Sequence, residues 1–244
     1  MSIQQSMIAG YSSVPFVITN SGDFERATAE YLSQTQGDAT TAEMRTNTFS
    51  SWIHRESGGQ TTAIMGSVTA EWGCYTNASN YIVTGQGNGA FSNQYASDVL
   101  ANATWYHLVI VYDSTAASGS RNRYYIDGTQ LVETTENEVA LNTNSEYFAN
   151  KEARIGRWFS TQVWDGLMSQ TYWLAGSHEP TEFAYNDGGT WTAKAYSGAA
   201  MGGNDTYLKY ENSGNLGENS ADGGDWTNNN TVTQSASVPP FGNG

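Results

Sequence analysis

Four sets of residues in this chain are of types that do chemistry: a run of glutamates, three histidines, three aspartates and a scatter of aromatic rings. Glu133, Glu136 and Glu138 fall in one short run, E-T-T-E-N-E, and Glu136 and Glu138 share a face if that run is extended. A carboxylate pair hydrolyses glycosides with retention when roughly 5–5.5 Å separates the two groups. This run follows a tight hairpin, where charges ordinarily guard a solvated sheet edge, so no catalytic residue is expected. His54, His107 and His178 are too scattered for Ser-His-Asp or metal-ligand spacing. His107, inside an apolar run, is expected to be a hydrogen-bonded core residue. Asp113, Asp127 and Asp165 offer oxygens of the kind calcium takes, but a turn accounts for Asp127 and a W-D-G bend for Asp165. No metal and no cofactor is expected.

The aromatics say more. Trp72, Tyr75, Trp158 and Phe159 lie in stretches that read as loops, with Asn77 and Gln162 near them. Rings stack on the C–H faces of sugars while planar amides take the hydroxyls. These four are therefore the candidate carbohydrate-binding residues. Packing in the core, or against a neighbouring subunit, is the alternative use of the same rings. Trp105, Trp164 and Trp173 are assigned to the core.

Short strands must position these groups. The clearest stretch runs from Trp105 to Glu133. In W-Y-H-L-V-I-V-Y both alternating sets are mostly apolar, so the strand is covered on both faces. A Ser/Ala/Gly connector leads to Tyr124-Tyr125-Ile126 and then Asp127-Gly128, the pair suited to a type I′ hairpin turn. Thr46–His54 is a strand with Phe49 and Ile53 on one face and Trp52 on the other. Ala63–Val68, Tyr81–Thr84, Tyr95–Leu100, Glu146–Phe148, Ala153–Trp158 and Tyr207–Tyr210 are further short strands, and Gly22–Leu32 holds a strand with a following turn, with a short helix as the competing reading. In Leu167–Leu174 strict alternation sets Leu167, Ser169, Thr171 and Trp173 against Met168, Gln170, Tyr172 and Leu174. Glu179-Pro180 starts the one expected helix, stopped by Asn186-Asp187-Gly188-Gly189. After Glu211 the text is Asn, Gly and Ser around a lone Trp226, which on composition reads as linker or disorder.

A chain of 244 residues with 26 glycines, 13% aromatic and only 14% charged residues suits one all-β domain. Its net charge of −14 argues against nucleic acid, which needs clustered cations, and against anionic membrane surfaces. No run is long and apolar enough to insert in a bilayer. Cys74 is the single cysteine, so no intrachain disulfide forms. The N-terminus has no cationic and apolar signal pattern, so synthesis without a signal peptide is expected and the Asn-x-Ser/Thr sites carry little meaning.

W-Y-H-L-V-I-V-Y-D at Trp105–Asp113, Y-I-D-G at Tyr125–Gly128, R-I-G-R at Arg154–Arg157 and W-D-G-L at Trp164–Leu167 resemble the concanavalin A-like lectin/glucanase sandwiches of the laminin-G and pentraxin branch. F-E-R-A-T-A-E-Y-L-S, T-F-S-S-W-I-H-R and Y-L-K-Y-E-N-S-G-N-L-G-E-N-S-A-D-G-G-D-W-T-N-N are similar to structural proteins of tailed bacteriophages that carry this domain. The resemblance implies an all-β jelly-roll sandwich of two antiparallel sheets with one short helix and extended termini. It also implies an arm at 1–21, a lectin-like domain at 22–230 and a tail at 231–244, with arm and tail as docking segments. The family's glucanases carry Glu-x-Asp-x-x-Glu on a concave strand, which is missing here, so the implied role is a non-enzymatic virion structural protein, a head decoration or tail appendage. A carbohydrate-binding host adhesin is the alternative, and a glycan hydrolase a third. Implied partners are other virion proteins, copies of the same chain and a host surface glycan, at the virion surface.

Overall fold

The computed structural model describes residues 16–35, 37, 39–69, 72–85, 92–95, 100–135, 138–145, 151–159 and 162–241, with 92–95 and 133–135 in backbone only. Glu136, the turn at 86–89, residues 96–99 and 146–148, and the arm up to residue 15 lie outside the described residues.

The chain opens with β1 (Ser21–Phe24) and β2 (Tyr31–Thr35), then α1 (Thr41–Arg45) and β3 (Thr46–Arg55). A meander follows: β4 (Thr62–Ser67), β5 (Gly73–Thr76), β6 (Ile82–Gly85) and β7 (Ser92–Tyr95). The hairpin region holds β8 (Trp105–Asp113), β9 (Asn122–Ile126), β10 (Thr129–Gln130) and β11 (Glu133–Thr135). Next come β12 (Glu152–Ile155), β13 (Arg157–Trp158), β14 (Gln162–Val163) and β15 (Gly166–Ala175). A 3-10 turn (Pro180–Glu182) precedes β16 (Ala184–Asp187) and β17 (Thr190–Ala193). The last strands are β18 (Thr206–Leu208), β19 (Thr227–Asn229) and β20 (Thr233–Ser235).

Two antiparallel sheets face each other. Sheet A runs β10-β9-β8-β3-β15-β1-β20, with β18 also paired to β15; sheet B runs β11-β7-β6-β5-β4-β12-β2-β19. This is the expected all-β jelly-roll sandwich. Between the sheets pack Phe49, Ile53, Leu108 and Trp173 from sheet A and Leu32, Ile64, Cys74 and Ile155 from sheet B. Burial of this apolar surface is the main stabilising term. Trp164 and Trp173 are fully buried, as expected, whereas Trp105 is only half-buried: it lies on the outer face of sheet A beside His54. At the hairpin, Asp127 (φ 48°) and Gly128 (φ 74°) both take the left-handed conformation that a type I′ turn requires.

Four further expectations change. The stretch around Cys74 and Tyr75, read as a loop, is the central strand β5. The α-helix lies at 41–45, held by a capping box in which Thr40 and Glu43 satisfy each other's backbone N–H groups, while Pro180–Glu182 makes only a 3-10 turn. The alternation in β15 breaks at a β-bulge between Ser169 and Tyr172, where Gln170 has φ 48°. One extra residue lets Met168 and Trp173, of opposite parity, both point into the core, and puts Gln170 and Tyr172 on the outer face.

The Asn-rich stretch after Glu211 is the fourth. β19 pairs with β2 at one edge of sheet B, and β20 pairs with β1 in sheet A. Trp226, Leu216 and Val232 anchor it in the core. Amide side chains replace backbone partners along it: Asn228 Nδ2 donates to the Val232 carbonyl (2.9 Å), and Gln234 Nε2 to the Tyr210 carbonyl (2.8 Å).

The outer face of sheet A carries a second layer. Val109, Val111, Tyr125, Tyr172 and Leu174 meet Phe183 and Tyr207 there, and Trp52 meets Ala184 and Ala193 of the β16–β17 hairpin.

Candidate functional site

The four candidate aromatics separate. Trp72 is buried against Trp173 in the sandwich interior (5.7 Å between ring centroids), so it offers no ring to a ligand. Tyr75 and Trp158 do meet, on the outer face of sheet B, stacked at 5.0 Å and 21°. Their floor is glycine. A Cβ at Gly66 would lie 2.3 Å from the indole, and one at Gly73 2.5 Å from it, so only glycines let Trp158 lie flat on the sheet. The indole is 9% exposed as a result. Phe159, at φ 58°, stays 51% exposed. Beside it Arg154 and Arg157 lie over the Tyr31 ring at 5.0 and 4.8 Å. Both donate to the Phe159 carbonyl, at 3.2 and 3.3 Å. Asn77 caps its own turn by accepting from the Ser79 and Tyr81 N–H groups, and Gln162 pairs with Trp158 across the β13–β14 ladder. The rings here mostly pack on one another.

A different group of aromatics builds a cavity. Tyr172 of β15 and Tyr207 of β18 are cross-strand partners, stacked at 4.1 Å and 10°. Tyr196 leans on Tyr172 at 5.7 Å, and Phe183 on both Tyr172 and Tyr196, at 5.1 and 5.2 Å. Together with Gln170 on the bulge, Tyr172, Tyr196 and Tyr207 floor a cleft of about 440 Å³, within the size range of small-ligand sites, with Phe183 packed behind them. Lys209 and Glu211 form one rim, and Phe16, Val17 and Met201 line the rest. Lys209 Nζ lies 5.4 Å from the centroid of the Tyr207 ring. The bulge puts the Gln170 amide in this floor, where its carbonyl accepts from the Tyr207 hydroxyl.

Burial, with the Glu211 carboxylate behind it, pushes the Tyr207 phenol up to about 12. Burial, then Glu182 and Asp205, pushes Tyr196 up as well. Both phenols therefore stay protonated at neutral pH. Tyr196 is held by His178, whose Nδ1 lies 3.1 Å from the hydroxyl and 2.8 Å from Glu182 Oε2. With their hydroxyls engaged inside the protein, the rings turn carbon surface to the cleft. Such a site stacks flat apolar faces and pairs with hydroxyls at its rim.

His107, Glu138, Asp127, Asp165 and Cys74 are committed to structure. His107 Nδ1 accepts from the Trp191 indole N–H (3.0 Å), which leaves Nε2–H to donate to Ser50 Oγ (2.8 Å). Burial pushes this imidazole down to about 3, so it is the core histidine expected. Glu138 accepts from Ser118 Oγ, the Gly119 N–H and Arg121. Burial alone would raise its pKa; these hydrogen bonds, with the Arg121 charge, outweigh it and hold the carboxyl below its usual range. Glu138 is a loop staple. Asp127 accepts from the His107 N–H, and Asp165 from Ser57 Oγ and the Arg26 N–H. The Cys74 thiol is buried and pushed up by that burial. No cluster of three or more His, Cys, Asp or Glu side chains is set to hold a metal among the described residues.

A family model described as the concanavalin A-like lectin/glucanases superfamily matches residues 27–184, more than half of the chain. The chain belongs to that superfamily. A comparison with curated proteins finds no match. Among solved structures of the superfamily's sandwich, one is a protein from Bacteroides ovatus ATCC 8483 proposed to bind carbohydrate. It is 14% identical with a TM-score of 0.60 over 93% of this chain and 62% of that one. This chain thus spans under two thirds of that structure's length. A heptameric SAP-like pentraxin from Limulus polyphemus is 15% identical with a TM-score of 0.50, covering 67% of this chain and 79% of that one. At such identities the likeness is one of fold. The superfamily match ends at residue 184, so Tyr196, Tyr207, Lys209 and Glu211 of the cleft lie beyond it. Sequence reasoning missed them because Tyr207-Leu208-Lys209-Tyr210 reads simply as a late strand. The signal present was the alternation of Tyr207 and Lys209 on one face.

Proposed function

We propose that this chain is a non-catalytic glycan-recognition module of a tailed-bacteriophage virion, a structural protein whose sheet A cleft meets carbohydrate on the host surface. The observation that carries glycan recognition is the cleft itself: a tyrosine floor, an amide from the bulge and a Lys209/Glu211 rim. Membership in a lectin-containing superfamily supports it, and so does the Bacteroides ovatus protein of similar fold, itself proposed to bind carbohydrate. Binding without turnover fits the carboxylates. Glu138 is tied into a loop, and Glu211 and Glu218 are exposed, whereas a glycosidase acid is usually buried to hold its proton.

The virion setting, as head decoration or tail appendage, rests on the resemblance of Phe24–Ser33, Thr48–Arg55 and Tyr207–Asn229 to phage structural proteins. In that setting the arm is the docking segment, because β20 and the bridge from Phe241 to Ala193 already hold the tail's backbone inside the domain. The partners are other virion proteins and copies of this chain.

Co-sedimentation of the purified chain with candidate host cells, before and after removal of their surface polysaccharide, tests glycan recognition. Saturable binding that disappears on stripping, and that falls with Tyr196→Ala or Val17→Arg, is expected. Binding that ignores stripping, or no binding, refutes it. Mass spectrometry of purified particles tests the structural role, which absence of the chain from them overturns.

A further inference from the structure

The aromatic cleft does not end at its Lys209/Glu211 rim. A second cavity of about 190 Å³ opens on the other side of the same two residues, lined by Asn212, Asn215, Glu218 and Ser220. The two compartments differ in kind. The first is floored by Tyr172 and Tyr207 and closed by Phe16, Val17 and Met201. The second is walled by amides, carboxylates and a hydroxyl.

The polar compartment is preorganised. Asn212 Nδ2 donates to Glu218 Oε2 (2.9 Å), and Asn212 Oδ1 accepts from the Gly214 N–H (3.0 Å). Asn215 Nδ2 donates to Asp225 Oδ2 (2.8 Å). Asn219 fixes the loop from below: it accepts from the Tyr207 N–H (2.8 Å) and donates to the Asp205 carbonyl (3.0 Å). A ligand thus meets polar groups already aimed, and little ordering entropy is lost on binding.

We infer that the two compartments hold adjacent units of one neutral oligosaccharide, the first stacking the apolar face of a sugar ring and the second hydrogen-bonding the hydroxyls of the next. This rests on the glycan recognition proposed above. Continuity through Lys209 and Glu211 makes the ligand at least a disaccharide. Neutrality follows from charge. Around the polar compartment Lys209 faces two carboxylates, Glu211 and Glu218, with Asp225 behind Asn215, in a chain of net charge −14. Uronic, sialic or sulfated units would bring like charge into that field. The apolar wall of the first compartment accepts a ring C–H face or an acetamido methyl without asking for a hydrogen bond.

Isothermal titration of the full chain tests this with glucose and N-acetylglucosamine as single units. The neutral trimers are maltotriose, cellotriose and triacetylchitotriose; the acidic ligands are trigalacturonate and sialyllactose. At least one neutral trimer is expected to bind about tenfold or more tightly than its single unit. Replacing the exposed pair Asn212→Ala and Glu218→Ala together should remove that advantage while leaving the single unit's affinity unchanged. Val17→Arg, at an exposed position on the aromatic wall, should weaken both. A trimer no tighter than its unit, or acidic ligands binding best, overturns the neutral two-compartment assignment while leaving glycan recognition standing. Failure of every sugar in the panel, with host-cell binding also absent, overturns glycan recognition itself.

Discussion

The two outer faces of this sandwich start from similar material and reach opposite ends. Each carries a stacked aromatic pair, Tyr75 on Trp158 over sheet B and Tyr172 on Tyr207 over sheet A. On sheet B the floor beneath the indole is Gly66 and Gly73, so the ring settles onto the backbone and its space is filled. On sheet A the bulge and the tyrosines raise the floor, and Phe183 with the β16–β17 hairpin stands over it as a second layer. Those layers do not close fully, and a cleft remains. An aromatic cluster marks a binding site only where its surroundings hold a second surface away from it.

The contrast can be broken hardest from the sheet A side. Phe183 is 2% exposed and packs on Tyr172, Tyr196 and His107. Phe183→Ala should cost ~3–5 kcal/mol, the usual range for a buried Phe emptied to Ala, and should abolish sugar binding by loosening the layer. Urea unfolding gives the first quantity and titration the second. Full affinity in a destabilised Phe183→Ala protein would mean that the layer does not shape the cleft.

Sheet B is tested next. Gly66→Ala drives a Cβ into the indole of Trp158, and overpacking of this kind costs about 1–3 kcal/mol. The ring must lift from the sheet, so tryptophan emission should shift to the red while affinity for sugar stays as it was. An unshifted spectrum at unchanged stability would show that the indole has room the geometry denies it.

How much of this was legible in the sequence follows the same divide. The hairpin at Asp127-Gly128 and the doubly covered β8 were readable because turn chemistry and alternation are local. β5 was not: its glycine reads as a loop, yet Gly73 is the floor Trp158 needs. Nor was the bulge at Gln170 visible, since both faces of β15 are apolar and strict alternation looks self-consistent. The tail resembled a linker because Asn228, Asn230 and Gln234 satisfy backbone groups that apolar strands would leave to their neighbours. Of the four candidate aromatics, Tyr75 and Trp158 were read as separate loop residues and come together only in the fold, whereas Trp72, one residue ahead of β5, turns inward. The cleft depends on Tyr172 and Tyr207 meeting across strands far apart in sequence.

The second layer also seals a titratable group. Trp191 donates to His107, and burial holds that imidazole at about 3 against 6.5 in the unfolded chain. A group depressed in this way favours folding fully above its unfolded value. As pH falls below about 6.5 the unfolded state takes up the proton first, and stability declines by ~1.4 kcal/mol per pH unit from this residue. Urea midpoints measured from pH 7 to 5 should therefore fall in the native chain and fall less in His107→Gln. Equal slopes in the two proteins would show that water reaches His107 through the layer.

The smallest expected effect separates the two faces most directly. Phe159 is the one aromatic of the original four that is more than half exposed, and by exposure alone it would be the first residue chosen as a sugar platform. Its surroundings argue otherwise: the Phe159 carbonyl is taken by Arg154 and Arg157, and the Tyr31 ring beneath those guanidinium groups is already covered. Phe159→Ser removes an exposed ring and should move stability by less than about 0.5 kcal/mol, as surface changes away from caps and cavities usually do. Binding of a neutral trimer should be unchanged, because the ring lies on the opposite sheet from Tyr207 and Lys209. A loss of affinity in this well-folded variant would move the sugar site to sheet B and return the tyrosine cleft to packing.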